Sequence, residues 1–305
     1  MDAIKIGTRK SKLALWQAEY VAEKLRSGGL KTELVLMETK GDKVLDVSIA
    51  KIGSKGVFTE ELEAKLAKGE IDIAVHSAKD MQSSLEEGFE IIAFSEREEV
   101  NDVIVSDRKI DLNNEVTLGT SSTRRIATLK HFYPSVKTVE VRGNLQTRIE
   151  KMRSGLCDGL LLAYAGVHRM GYHEMITHKL PLDQFTPAVG QGSIAIESHR
   201  SLKEDKASKI RALINHEATE QRLLAERAFL KKLEGGCSIP VFALAKNVAS
   251  QTHITGGIIS LDGKQRIVKS SEGSDPERLG TELAENLLSA GGEAILKEIK
   301  SQLNK

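Results

Sequence analysis

Four short segments hold most of the residues able to do chemistry: Gly7-Thr8-Arg9-Lys10-Ser11, His76-Ser77-Ala78-Lys79-Asp80, Gly119-Thr120-Ser121-Ser122-Thr123-Arg124-Arg125, and Arg142-Gly143-Asn144 with Arg148 just beyond. Each supplies hydroxyls, a glycine or cations, and each lies between a short apolar stretch and a helical pattern. In an open α/β sheet that junction faces the ligand crevice. Helix N-termini there offer unpaired N–H groups and a partial positive charge, and arginine adds a planar fork matched to carboxylate or phosphate. Between 117 and 154, Arg124, Arg125, Lys130, Lys137, Arg142, Arg148, Lys151 and Arg153 face only Glu140 and Glu150. This is a local excess of +6 in a chain of net charge +1. The pattern predicts a concentrated site for an anionic ligand.

Asp80 is the exception. A carboxylate among cations repels an anion unless it meets a positive or N–H-bearing part of the ligand. Its spacing leaves two roles open: an ion pair with Lys79 or a nearby arginine, or a general acid and stabiliser of a transient cation. Cys237, in Glu234-Gly235-Gly236-Cys237-Ser238-Ile239-Pro240, sits in a loop whose glycines allow close approach of a ligand, which favours a reactive or modified thiol. Cys157, ahead of an apolar strand, reads as structural. His168, His173 and His178 are five apart and fall on different faces of a helix, so they match no metal-ligand pair. No Walker loop or dinucleotide fingerprint occurs, and neither metal nor nucleotide is expected.

The elements that position these residues follow from periodicity. Strands are predicted at 3–6, 32–37, 71–75, 91–94 and 102–106. From Glu115 strands at 116–119, 137–141 and 159–163 alternate with helices, the rhythm of a parallel, doubly wound sheet. Gly41 to Gly56 reads as a long surface loop. The last third differs. A helix over 217–233 runs into Gly235-Gly236, strands at 241–245, 253–259 and 265–269 follow with a hairpin signal at Asp262-Gly263, and Pro276 opens a final helix. Two α/β domains and one α+β domain are expected.

Composition bounds the class. The 305 residues are 40% hydrophobic, enough for several cores. The near balance of 44 basic and 43 acidic side chains argues against a surface built for nucleic acid or anionic membrane. Two cysteines make no disulfide framework. The longest mainly apolar run, Gly159 to Val167, is too short to span a bilayer, so a cytoplasmic setting is expected.

In order along the chain, these segments resemble the porphobilinogen deaminase (hydroxymethylbilane synthase) family of tetrapyrrole biosynthesis. The markers are Gly7–Ser11 with Leu13–Ala18, Lys55-Gly56-Val57-Phe58, His76–Asp80, Gly119–Ser122 with Arg124-Arg125, Arg142-Gly143-Asn144 with Arg148, Ala165-Gly166 with Arg169, Pro187–Gly192 and Glu234–Cys237. The resemblance covers essentially the whole chain, and the ordered series is specific. Met81-Gln82 departs from the common Val-Pro or Met-Pro, and Val167-His168 from Leu-Lys or Leu-Arg.

The resemblance implies two lobes similar to those of periplasmic binding proteins and a small third domain. The expected boundaries are 1–95 with 193–213, 96–192, and 214–305. It further implies a dipyrromethane cofactor on Cys237 through a thioether. Four porphobilinogen units are joined head to tail onto it, with loss of ammonia, and 1-hydroxymethylbilane is released by hydrolysis. Lys79, Asp80, Thr120, Ser122, Arg124, Arg125, Asn144 and Gly166 would surround the cofactor. Arg9, Ser11, Phe58, Arg142, Arg148, Arg169 and Gln191 would bind substrate and the growing polypyrrole chain, with 41–56 as a cover. Asp80, aimed at a pyrrole N–H, would stabilise the azafulvene cation formed on deamination. No protein partner is implied, and a monomer is the default. A rival reading is a two-lobed protein that closes on a small anion without reacting with it.

Overall fold

The computed structural model describes residues 2–39, 59–236, 238–249 and 251–303. The expectations for 41–56, Phe58 and Cys237 lie outside the described residues.

The strands form three sheets. In the first, β1 (Ile4–Arg9), β2 (Thr32–Met37), β3 (Ile73–Ser77), β4 (Phe89–Phe94) and β10 (Ile194–His199) lie in the order β2-β1-β3-β10-β4. In the second, β5 (Asp102–Val105), β6 (Thr117–Gly119), β7 (Lys137–Val139), β8 (Gly159–Ala163) and β9 (Ile176–Lys179) lie in the order β7-β6-β8-β5-β9. As the strand–helix rhythm predicts, β6, β7 and β8 are parallel, and so are β1, β2 and β3.

The periodicity did not reveal β9 and β10, nor that each sheet takes in an antiparallel strand. The first residue of β5, Asp102, pairs with the last of β8, Ala163. Likewise the first of β10, Ile194, pairs with the last of β3, Ser77. Each of these strands arrives from the other lobe and enters its sheet at the end where the parallel strands finish. It must therefore run against them. The two crossing segments are bonded to each other. Ser95 N donates to Ile194 O at 2.9 Å, and Glu98 N to Gly192 O at 3.1 Å.

Helices cover both faces of each lobe, as doubly wound sheets require. In the first lobe Ile4, Ile6, Ile73 and Ile196 pack against Val21 and Leu25 of α1 (Lys12–Ser27) and Ile210 of a later helix. On the other face, Ala74 meets Leu62 and Leu66 of α2 (Glu60–Ala67). In the second lobe alternation along one strand splits the core. Leu160 and Leu162 pack with Ile149 and Met152 of one helix, and Leu161 packs with Leu129 of another. These helices are α3 (Thr123–Phe132) and α4 (Leu145–Arg153), and the short α5 (Tyr164–Arg169) follows.

Beyond β10 come α6 (Glu204–Ile214) and α7 (Glu217–Lys232), then the antiparallel sheet of β11 (Val241–Val248), β12 (Gln251–Ile259) and β13 (Arg266–Gly273). Next is α8 (Pro276–Leu287), capped by Asp275 with Pro276 in its first turn, and last α9 (Glu293–Leu303). The Asp262-Gly263 hairpin forms with Gly263 at φ +77° and docks on α3, where His131 Nδ1 donates to Gly263 O at 2.7 Å. On the other side Leu223 of α7 packs against Ala78, Met81 and Phe94 of the first lobe. The third unit thus touches both lobes.

Candidate functional site

The parallel strands of each lobe end on a common edge, and that edge carries the singled-out segments. In the first lobe Arg9 ends β1 and a 3-10 turn, Ala78–Asp80, follows β3. In the second, Thr120–Ser122 lead from β6 into α3, and Arg142–Asn144 from β7 into α4. Local physics accounts for part of the pattern. Ser11, Ser122 and Asn144 are helix N-caps, accepting from Ala14 N (3.3 Å), Arg125 N (3.5 Å) and Thr147 N (3.0 Å). Buried Thr120 accepts from Ser122 N through Oγ1 at 3.3 Å. The caps set the helix N-termini at the edge.

The lobes bring these edges together. Burial, and then repulsion by Arg125 of the opposite lobe, lower the Lys79 pKa to about 8. Burial, and then the same Arg125, lower that of Arg148 to about 10, while Asp80 across the cleft opposes the change. Arg142 adds to the repulsion on Arg148. Asp80 is exposed, and no hydrogen bond or ion pair holds its carboxylate among the described residues. The pairing with Lys79 is therefore not formed. The Asp80 turn is seated by Ala78 N, which donates to Ser193 O at 3.0 Å. It is seated also by Gly190 (φ +77°), where a Cβ would lie 2.8 Å from the Ala78 carbonyl carbon. Only glycine tolerates both that conformation and that approach.

Arg124 and Arg125 are placed differently from cations waiting in solvent. Both are buried and share one carboxylate, that of Asp102. Arg125 donates to Asp102 Oδ1 from Nε (3.1 Å) and Nη2 (2.7 Å), and Arg124 Nη1 lies 2.8 Å from Oδ2. Gln191, also buried, donates to Asp102 Oδ1 at 3.0 Å and to Val100 O at 2.7 Å. Arg169 sits at the edge of the lobe–lobe contact. It donates to Gly192 O at 2.8 Å, and its guanidinium lies 5.3 Å from the centre of the Trp16 ring on α1. Gly166, on the same short helix, faces Leu13 of α1, which a Cβ there would meet at an ordinary 3.6 Å contact. Asp80, Arg9 and Ser11 line one small cleft with His76 and Gln17, while Arg169 donates to the second crossing and Gln191 lies on it.

Sequence reasoning missed Asp102, Arg97 and Glu226. Arg97 of the first crossing donates to Glu226 of α7 at 2.6 and 3.1 Å, and its Nε donates to Gln191 O at 2.8 Å. The same carboxylate accepts from Gly190 N and Ala245 N. One fully buried anion thus ties both crossings to the third unit. A signal was present, since Glu226 follows Leu223 by three residues on the buried stripe of α7, where a solvated acid would not fall. Glu226→Ala is expected to cost about 3–5 kcal/mol, the loss on breaking a buried pair from one side. Thermal or urea unfolding measures it, and an unchanged midpoint would remove Glu226 from the interdomain framework.

The donors present fit a ligand rich in carboxylates. Arg124 Nε and Arg169 Nε are buried without a protein acceptor, and the desolvated Lys79 lacks a paired anion among the described residues. Gly235 and Gly236, just before Cys237, follow the C-terminal end of α7.

Fold and site together define a two-lobed α/β protein with a cationic cleft and a third unit bound to both crossings. The family model of the porphobilinogen deaminase dipyromethane cofactor binding domain matches residues 4–208, and that of the porphobilinogen deaminase C-terminal domain matches 220–289. Porphobilinogen deaminases of Desulfosudis oleivorans and Cytophaga hutchinsonii are each 56% identical. They cover 98% and 99% of this chain and 98% of their own lengths. That of Syntrophomonas wolfei is 48% identical over 98% of this chain and 100% of its own. The chain belongs to the porphobilinogen deaminase family. Among solved structures, the periplasmic VFT2 domain of Bordetella pertussis BvgS aligns with 68% of this chain and 91% of its own at 18% identity and TM-score 0.40.

Proposed function

We propose that this chain is a transferase that joins four porphobilinogen units head to tail, with loss of ammonia, and releases 1-hydroxymethylbilane for tetrapyrrole synthesis. One observation carries the reading: Asp80, a carboxylate unpaired among the described residues, faces cations contributed by both lobes. A pyrrole bearing acetate and propionate groups has the matching pattern, with anions outside and an N–H within. When bound, dipyrromethane supplies the pyrrole carbon to which the first unit is joined. Lys79, Thr120, Ser122, Arg124, Arg125, Asn144 and Gly166 would hold that group, with Cys237 as its attachment. Arg9, Ser11, Arg142, Arg148, Arg169 and Gln191 would hold substrate carboxylates, directly or through the lobe contact, together with Phe58.

Asp80 accepts the pyrrole N–H of the reacting unit, opposes the positive charge that develops as ammonia leaves, and takes up the proton released. The test is incubation of the purified protein with porphobilinogen, followed by intact-mass analysis and an ammonia assay. Mass increments of single deaminated units with ammonia release support the reading. A protein that binds porphobilinogen and returns it unchanged would be the rival binder.

In this reading the domains are 1–95 with 193–213, 96–192, and 214–305, which agrees with three separate sheets. The protein works as a cytoplasmic monomer. No helix among the described residues is long and apolar enough to cross a membrane. The exposed large hydrophobics there, Trp16, Leu36, Leu156 and Val248, lie on four separate segments of the chain.

The pKa of Lys79 sets a pH dependence. An ordinary lysine keeps its charge to about 10.5, whereas Lys79 loses its charge as pH rises through about 8. Its attraction for a carboxylate is therefore complete well below that value, halved at it and lost above it. The rate at which the apoprotein takes up its mass adduct from porphobilinogen, before any cofactor carboxylate pairs with Lys79, is expected to fall on this alkaline side. Lys79→Arg should move the fall to higher pH. An alkaline limb unchanged in that variant would assign the titration to another group.

A further inference from the structure

The arginine pair of the cleft is fixed from behind. Asp102 is fully buried, and its backbone is held on both sides, paired with Ala163 in the sheet and accepting from Leu180 N at 2.9 Å. Its carboxylate therefore has a place set by the fold. Arg124 and Arg125 hang from that carboxylate at 2.7–3.1 Å. Each is steadied by one further acceptor: Thr186 O at 3.0 Å for Arg124 and Leu161 O at 3.1 Å for Arg125. Gln191 completes the set from the second crossing.

Two guanidiniums side by side, with Lys79 near both, repel one another in a poorly solvated site. Without a counter-charge they would turn apart or draw in water. Burial alone would raise the Asp102 pKa, but the two arginines outweigh it and hold the group well below the usual carboxylate range. Asp102 is thus an anion throughout the working pH range.

We propose that Asp102 is a positioning residue for the reaction, holding Arg124 and Arg125 in their ligand-binding orientation before any ligand carboxylate arrives. Through Gln191 it ties that orientation to the crossing on which the lobes are joined. The ordering of two long cationic side chains is then met in folding rather than in binding, the general advantage of preorganisation. The proposal rests on the transferase reading with these arginines as carboxylate anchors; wild-type turnover in the same assay checks the activity, and Arg125→Gln checks the anchors.

Asp102→Glu separates position from charge, since it keeps the anion and moves it by one methylene. The expected result is a folded protein whose kcat/KM for porphobilinogen falls by about 10-fold to 100-fold, the penalty of a misplacement near 1 Å. Its mass adduct should also form more slowly when the apoprotein is supplied with porphobilinogen. Wild-type kcat/KM and adduct formation in that variant would overturn the proposal and leave Asp102 a charge balance only. Should Asp102→Glu fail to fold, Asp102→Asn, Arg125→Gln and the charge-balanced double variant decide. If Asp102 acts through the arginines, the double variant loses less than the product of the two single losses. Losses that multiply would overturn the proposal.

Discussion

Asp80→Ala is expected to leave a folded, cofactor-loaded protein whose turnover falls by about 10³-fold or more. That size combines a lost proton acceptor with a lost counter-charge at the reacting centre. The fold should survive for a structural reason. The carboxylate is exposed and holds no partner among the described residues, so its removal leaves no buried group unsatisfied. The turn itself is seated by Ala78 N and by Gly190 rather than by the Asp80 side chain. Steady-state turnover with porphobilinogen, beside circular dichroism and intact mass, reads all three properties. Turnover within tenfold of wild type would remove Asp80 from the chemistry. Asp80→Asn is the finer variant. It keeps the shape and one acceptor oxygen but no charge, so a loss nearly equal to that of alanine assigns the effect to the charge.

Cys237→Ala is expected to abolish activity and to purify at its bare sequence mass. A thioether needs the sulfur, and Cys157 is no substitute. It is the free cysteine of the second-lobe core, packed with Val141 and Leu160, and burial raises its pKa. A buried, protonated thiol is a poor nucleophile. Intact-mass analysis of Cys237→Ala beside Cys157→Ala gives a paired outcome: the first lacks the mass of two linked pyrroles and the second retains it. An adduct persisting on Cys237→Ala would place the attachment elsewhere.

The amino-acid sequence by itself determined the chemical inventory and most of the elements. Strand–helix alternation from Glu115 onward, the Asp262-Gly263 hairpin and Pro276 in the first turn of α8 are local matters. They are decided by side-chain period and backbone preference within a few residues, so they are legible without the fold. The excess of cations over 117–154 is legible for the same reason, because it is a count. Boundaries moved by one to four residues, the most in β13, which runs on to Gly273. β3, for example, extends to Ser77 and takes in His76.

What only the tertiary structure decided is how each cation of the cleft is held. Arg124 and Arg125 looked alike to Arg148 in sequence, yet two of the three are engaged by Asp102, an acid heading an otherwise apolar strand 22 residues before the nearer of them. Glu226 and Arg97 lie farther apart still and meet because α7 packs where the two crossings pass. Ion pairs at such separations depend on the path of the chain between lobes, which no local period encodes. Direction is a further example. β5 and β10 run against their neighbours because the chain enters each sheet from the cleft side. The same crossings carry Gly190 and Gln191 to the back of the site, so the path that sets the strand order also decides which cations face the cleft.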